Sequence, residues 1–336
     1  MLEKIGVFEG EDIVEATLTS RAGAVAKVMT WGAVLRDLTV PHRGGQQRVV
    51  LGFANFEDYP AHSPNFGAIA GRYANRIALG HLVIDGESYQ LPLNNGRHSL
   101  HGGAKGFGKR PWALVSHTAN AITLALRSEA GDAGYPGALT VLCTYRLAEP
   151  ATLSVELSAT SDAPTVVNLA HHSYFNLDGA PDITGHRLAI AADAYTPSDA
   201  ESIPTGEIRL VDGTAFDFRT ERPVGLSEHG AAVLYDQNFV LAKQRGPLTL
   251  AARVASPANG LAMECWTTEA GVQFYDGHKV STPVPGLGGA PYGARAGLCL
   301  EPQFFPDTPN KPWFGDCVLR PGAVYRQRTE YRFTAS

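Results

Sequence analysis

The 336-residue chain has no apolar run long enough to span a bilayer. It also lacks any Pro- or Ser-rich linker, charge block or internal repeat that would divide it. A membrane-spanning architecture and a string of modules are thereby excluded, and one domain over residues 1–336 is expected. Cysteine is scarce: Cys143, Cys265, Cys299 and Cys317 form no CxxC pair and are too few for a disulfide scaffold in a chain of this length, so buried free thiols are expected. No HxH or HExxH spacing marks a metal centre. Charged residues make up only 18% and the formal net charge is -5, with Lys and Arg scattered rather than clustered. The basic footprint of a nucleic-acid partner is absent. The opening MLEKIGVFEGEDIVEA carries early acidic residues in place of a signal peptide's apolar core, so a cytoplasmic location without a membrane partner is expected.

What the chain does have is apolar residues at 44%, ample for a core. Short runs of β-branched and aromatic residues recur between Gly, Pro, Asn and Asp clusters, which is the pattern of an antiparallel β protein. In HLVIDGESYQ (His81–Gln90), Asp85-Gly86 sits between two alternating arms, and a type I′ turn there needs the positive φ that both residues tolerate. Further strands are expected at Ala121–Arg127, Leu139–Leu147, Thr152–Ala159, Arg187–Ala192, Leu248–Ala255, Leu261–Thr267, Val272–Tyr275, Ala296–Leu300 and Tyr325–Phe333. Pro285–Gly297 reads as one long loop, and a short helix is expected near Phe53–Tyr59. So many strands exceed one open sheet, and the fold class is all-β: a large antiparallel β-sandwich.

Polar residues of catalytic type gather in GRYANRI (Gly71–Ile77), LNNGRHSLHGG (Leu93–Gly103), NLAHHSYFNLDG (Asn168–Gly179), YDQNFVL (Tyr235–Leu241), WTTEAGVQFY (Trp266–Tyr275) and LEPQFFPDTPN (Leu300–Asn310). Their order and spacing resemble the aldose 1-epimerase (galactose mutarotase) family over nearly the whole chain. The resemblance implies that family's supersandwich fold and interconversion of the α and β anomers of a free aldose of galactose or glucose type. It implies Glu301 as catalytic base and His172 as general acid, with Asn75, Arg76, His101, Tyr174, Asp236 and Gln273 holding the sugar. No metal and no cofactor are implied, and the only partner is the small-molecule sugar; the pattern carries no signal for oligomeric state.

The chemistry fits those residue types. Anomer exchange removes the C1 hydroxyl proton and protonates the ring oxygen, so one base and one acid suffice. A carboxylate is ionised at neutral pH, and an imidazolium beside carboxylates such as Asp236 is expected to stay protonated. Residue type alone leaves simpler roles open. Glu301, at the end of its expected strand, could be a solvated carboxylate, His101 a turn cap and Arg76 a surface ion-pair partner. His171 and His172 point to opposite faces of a strand, so only one enters a site, and His172 is taken. Arg72, His98, His278 and Trp313 are left as structural or rim residues. His171 and Gln237 depart from the family's usual NH and DHN strings. Trp266 is bulkier than usual at its position and is expected in the core. Three other readings remain: a metal-dependent isomerase on His101, His172, Asp236 and Glu301, a glycoside hydrolase pairing Asp236 with Glu301 along an elongated cleft, and a non-catalytic sugar-binding sandwich.

Overall fold

A computed structural model describes every residue of the chain except Gly44, His229 and Ser336. Its largest unit is a nine-stranded antiparallel sheet, in the spatial order Ala113–His117, Ala121–Ser128, Leu139–Ala148, Thr152–Ser161, Tyr325–Ala335, Leu261–Thr267, Thr249–Ala255, Arg187–Ile190 and Arg222–Pro223. The C-terminal strand Tyr325–Ala335 lies in the middle, paired on both sides. A five-stranded meander, Leu2–Phe8, Glu11–Thr19, Val25–Met29, Leu35–His42 and Gly45–Arg48, keeps chain order. A second five-stranded sheet runs Arg209–Leu210, Ala194–Thr196, Asp236–Val240, Gly271–Tyr275, Cys299–Gln303.

Alternation of side chains explains why these sheets stack. Along Leu139–Ala148, Leu139, Val141, Cys143, Tyr145 and Leu147 are buried while Thr140, Leu142 and Arg146 face out. Those inward residues join one continuous core with Leu18, Val28 and Leu35 of the meander and Phe239, Phe274 and Leu300 of the second five-stranded sheet. The expected all-β sandwich is therefore present.

The hairpin His81–Ile84/Glu87–Gln90 forms with Asp85 at φ 53° and Gly86 at φ 87°, as its turn chemistry requires. All four cysteines are buried and free. Pro285–Gly297 forms no strand or helix, and the short helix lies at Asp58–His62, just beyond its expected place. Among the described residues no helix is long and apolar enough to cross a membrane.

Two expectations need correction. The strand expected at Ala296–Leu300 is Cys299–Gln303, which carries Glu301 at its centre; it is the last strand of its sheet, where the missing N–H of Pro302 leaves no ladder bond unmade. Trp266 is not in the core. In Leu261–Thr267 the inward set is Leu261, Met263, Cys265 and Thr267, so Trp266 falls on the outer face, half-buried, under the Arg332 guanidinium 4.2 Å from its ring. Its indole N–H donates to Glu264 at 2.8 Å.

The two faces predict different costs. Leu153→Ala, at a fully buried inward position, should lower the unfolding free energy by about 2–5 kcal/mol in urea titrations. Trp266→Ala should cost only about 1 kcal/mol, chiefly its cation–π contact; the reverse ranking would put the core on the other face.

Candidate active site

The second five-stranded sheet brings polar groups together by register. Asp236 lies opposite Tyr275, and Tyr275 opposite Cys299; one step along, Asn238 lies opposite Gln273, and Gln273 opposite Glu301. Because side chains alternate, all six share one face, while Phe239, Phe274 and Leu300 go to the core on the other. Gln237 faces away with the core set and donates to Ser198 Oγ at 2.9 Å, so this departure from the family pattern lies off the site.

His172 arrives from a second element. Ala170–His172 pairs antiparallel with Ala68–Ala70 and packs beside Cys299–Gln303. His172 Nε2 lies 3.4 Å from Glu301 Oε2. His171 takes the opposite face, with Nδ1 3.1 Å from the Tyr145 hydroxyl and its ring against Tyr331. The expectation that one of the two enters the site holds by strand parity.

The third part is a pair of tight loops. Arg76–Ile77 pairs with Ser99–Leu100, and just outside that ladder Asn75 and His101 both hold positive φ, 64° and 52°. Such conformations cost on the order of 1–3 kcal/mol each and persist where the surroundings over-determine them. Gly102 makes the crossing feasible: a Cβ there would stand 2.0 Å from the Gly71 carbonyl oxygen. The Asn75 backbone N–H donates to His101 Nδ1 at 3.1 Å, which leaves the proton of a neutral His101 on Nε2.

These parts enclose a cavity of about 220 Å³ lined by Asn75, Arg76, His101, His172, Tyr174, Asp236 and Glu301, together with Asn65, Asn95, Leu100, Tyr275 and Lys279. Of the residues singled out in the sequence, only Gln273 stands behind the wall, donating to Asp236 Oδ1 at 2.7 Å. Arg76 donates through Nε to Asn95 at 3.0 Å and makes no ion pair among the described residues. Asn95 and Tyr275 belong to polar segments recognised in the sequence. Asn65 and Lys279 lie outside them, and no local pattern distinguishes them. The residues left as structural are so placed: buried Arg72 donates to the Pro136 and Gly137 carbonyls at 2.8 Å each, His98 accepts from the Leu79 N–H, His278 pairs with Asp276, and Trp313 is exposed.

Burial governs the protonation states. It pushes the Glu301 carboxyl well above the usual range, Asp236 adds to the rise, and Arg76 opposes it. Burial pushes His172 down to about 4, and His101 well down. The expectation that carboxylates keep His172 protonated is therefore corrected: desolvation is the largest cause, opposed by a hydrogen bond to the residue's own backbone carbonyl. His172, Cys299 and Glu301 also offer ligand atoms within 4.8 Å of one another, a grouping that sequence spacing did not reveal.

A model of the family described as aldose 1-epimerase matches residues 15–332. Galactose mutarotase of Rattus norvegicus is 42% identical, the alignment covering 95% of this chain and 97% of that protein. Aldose 1-epimerase of Escherichia coli K12 is 39% identical with 97% of each covered. The crystal structure of an aldose epimerase homologue from C. elegans superposes with a TM-score of 0.90 at 33% identity, covering 96% of this chain and 99% of that one. The chain belongs to the aldose 1-epimerase family. It is an isomerase that interconverts the anomers of an aldose. In this epimerase the cavity of about 220 Å³ carries both carboxylates, Asp236 and Glu301, in its lining.

The electrostatics can be tested directly. In a carboxyl-carbon NMR titration Glu301 should lose its proton well above the ordinary Glu range, and Asp236→Asn, by removing the neighbouring charge, should move that midpoint to lower pH. An unmoved midpoint would leave desolvation as the sole cause.

Proposed function

We propose that Glu301 removes the proton from the C1 hydroxyl of a galactose- or glucose-type aldose while His172 protonates its ring oxygen. The observation that carries this reading is the 3.4 Å approach of His172 Nε2 to Glu301 Oε2 on the cavity wall, where that carboxylate oxygen is buried with no hydrogen-bond partner among the described residues. A sugar hydroxyl supplies the missing partner. Ring opening gives the aldehyde, rotation about C1–C2 presents the other carbonyl face, and reclosure returns both protons. Each positioned group is typically worth about 10²–10⁴-fold. Asn75, Arg76, His101, Tyr174 and Asp236 hold the hydroxyls, with Gln273 acting through Asp236. The mutarotase relatives favour galactose among the candidates. The unpaired buried thiols favour a cytoplasmic enzyme, and the continuous core favours a single domain.

Polarimetry of freshly dissolved α-D-galactose and α-D-glucose tests the reading: the protein should speed the approach to an unchanged endpoint. A rate equal to buffer for both would leave a sugar-binding protein. The working state holds one proton on the pair, so kcat/KM should be bell-shaped in pH, with its acidic limb near the His172 value of about 4 and its alkaline limb at the elevated Glu301 value.

Glu301→Gln should abolish exchange, and wild-type activity in that variant would remove the residue from the mechanism. The same substitution should raise Tm at pH 7. The unfolded chain releases the Glu301 proton near the ordinary value and the folded chain only well above it, so over that interval native Glu301 binds more protons and stability falls as pH rises. A metal-dependent reading is favoured only by the grouping of His172, Cys299 and Glu301. Treatment with EDTA should leave the rate unchanged, whereas a loss restored by added zinc would establish a metal centre.

A further inference from the structure

We propose that Lys279 is a specificity-determining residue that lets the cavity take an aldose carrying a carboxylate on C5, a hexuronic acid such as galacturonate, as well as the neutral sugar. The inference rests on the reading of Glu301 and His172 as the base and acid that act at C1 and the ring oxygen. The cavity lining includes two cations, Arg76 and Lys279, and two carboxyl groups, Asp236 and Glu301. Neither cation has a carboxylate partner among the described residues: the Arg76 guanidinium donates to Asn95 at 3.0 Å, and Lys279 is engaged only through its backbone. In the working state Glu301 and His172 share one proton and are neutral as a pair. The two cations then face Asp236 alone, which leaves one positive charge in excess in a chain whose formal net charge is -5. A bound monoanion balances that charge, whereas a phosphate dianion exceeds it.

The turn that carries Lys279 is fixed against the wall. It follows the strand Gly271–Tyr275, and the Lys279 N–H donates to the hydroxyl of Tyr275, itself a lining residue, at 3.0 Å. Asp276 accepts from Arg295 Nε at 3.1 Å and pairs with His278 Nδ1 at 2.6 Å, while the Val280 N–H donates to the Gly277 carbonyl at 2.9 Å. These contacts engage the other charged groups of the turn with one another and leave the exposed Lys279 ammonium without a partner among the described residues. The substituent on C5 is bonded beside the ring oxygen, so it leaves the sugar on the His172 side. From His172 the wall continues through Tyr174, stacked at 5.2 Å, and Tyr275, edge-on to Tyr174 at 6.0 Å, to that turn. The flexible four-carbon stem of a lysine brings its charge to a carboxylate there, and the neutral CH₂OH of galactose offers that charge nothing comparable.

The test is polarimetry of freshly dissolved α-D-galacturonate and α-D-galactose at neutral pH with the wild type, Lys279→Met and Lys279→Arg. The wild type should speed both exchanges. Lys279→Met, which keeps the length without the charge, should lower the ratio of kcat/KM for galacturonate to that for galactose about tenfold, mostly through KM; Lys279→Arg should restore it. Added KCl should lower the wild-type ratio more steeply than that of Lys279→Met. Galacturonate exchange at the buffer rate beside active galactose turnover, or an unchanged ratio in Lys279→Met, overturns the proposal, and so does faster turnover of galactose 6-phosphate than of galacturonate. Should neither sugar be turned over, the acid–base reading fails instead, and calorimetry decides the present one: tighter binding of galacturonate than of galactose, with the margin lost in Lys279→Met, upholds it, and equal affinities overturn it.

Discussion

The site depends on the antiparallel register that aligns Asp236–Val240, Gly271–Tyr275 and Cys299–Gln303. A slip of one residue in the last strand would send Glu301 into the core and Leu300 into the cavity. What pins the register is burial on the far face, where Phe239, Phe274 and Leu300 join the main core at 0% exposure. The Glu301 carboxyl is thus positioned by apolar side chains on the opposite face of its sheet. Behind the cavity wall a series of amides stiffens the same strands: Gln303 donates to Gln273, Gln273 to Asp236, and Gln327 to the Pro302 carbonyl.

Burial has an electrostatic consequence. Glu301 is 2% exposed beside a second carboxylate, and His172 is 5% exposed between aromatic rings, so the low-polarity surroundings disfavour the charged form of each. A carboxylate so placed is a stronger base and an imidazolium so placed a stronger acid, at the cost of the native state's stability at neutral pH. Two imidazoles with fixed ring planes and the Glu301 carboxyl share this one cavity wall. The strained loops at Asn75 and His101 belong to the same arrangement, since the positive φ values turn both side chains into the cavity.

Much of this was legible in the sequence wherever the cause is local. The Asp85-Gly86 turn depends on two residues and their tolerance of positive φ; the division between His171 and His172 depends only on strand parity. Trp266 shows the limit: its size suggested the core, but its face was set by which neighbours pair with its strand. Glu301 was assigned to a strand end because Pro302 follows it, whereas an edge position accommodates that proline. Gln273 was recognised as a polar residue of the site, yet its place behind Asp236 is a matter of cross-strand geometry. Lys279 and Asn65 reach the cavity from segments with no distinguishing pattern.

The sequence by itself determined the element types, the alternation along each strand and the segments that carry most polar groups of the cavity, because these follow from backbone sterics and side-chain chemistry within a few residues. The tertiary structure decided which groups meet and in what protonation state. Cys299 and His172 touch across 127 residues of chain, and Gln273 and Asp236 across 37. Desolvation and Coulomb interaction act through space, so the raised Glu301 and the lowered His172 exist only once the sheets have closed around them.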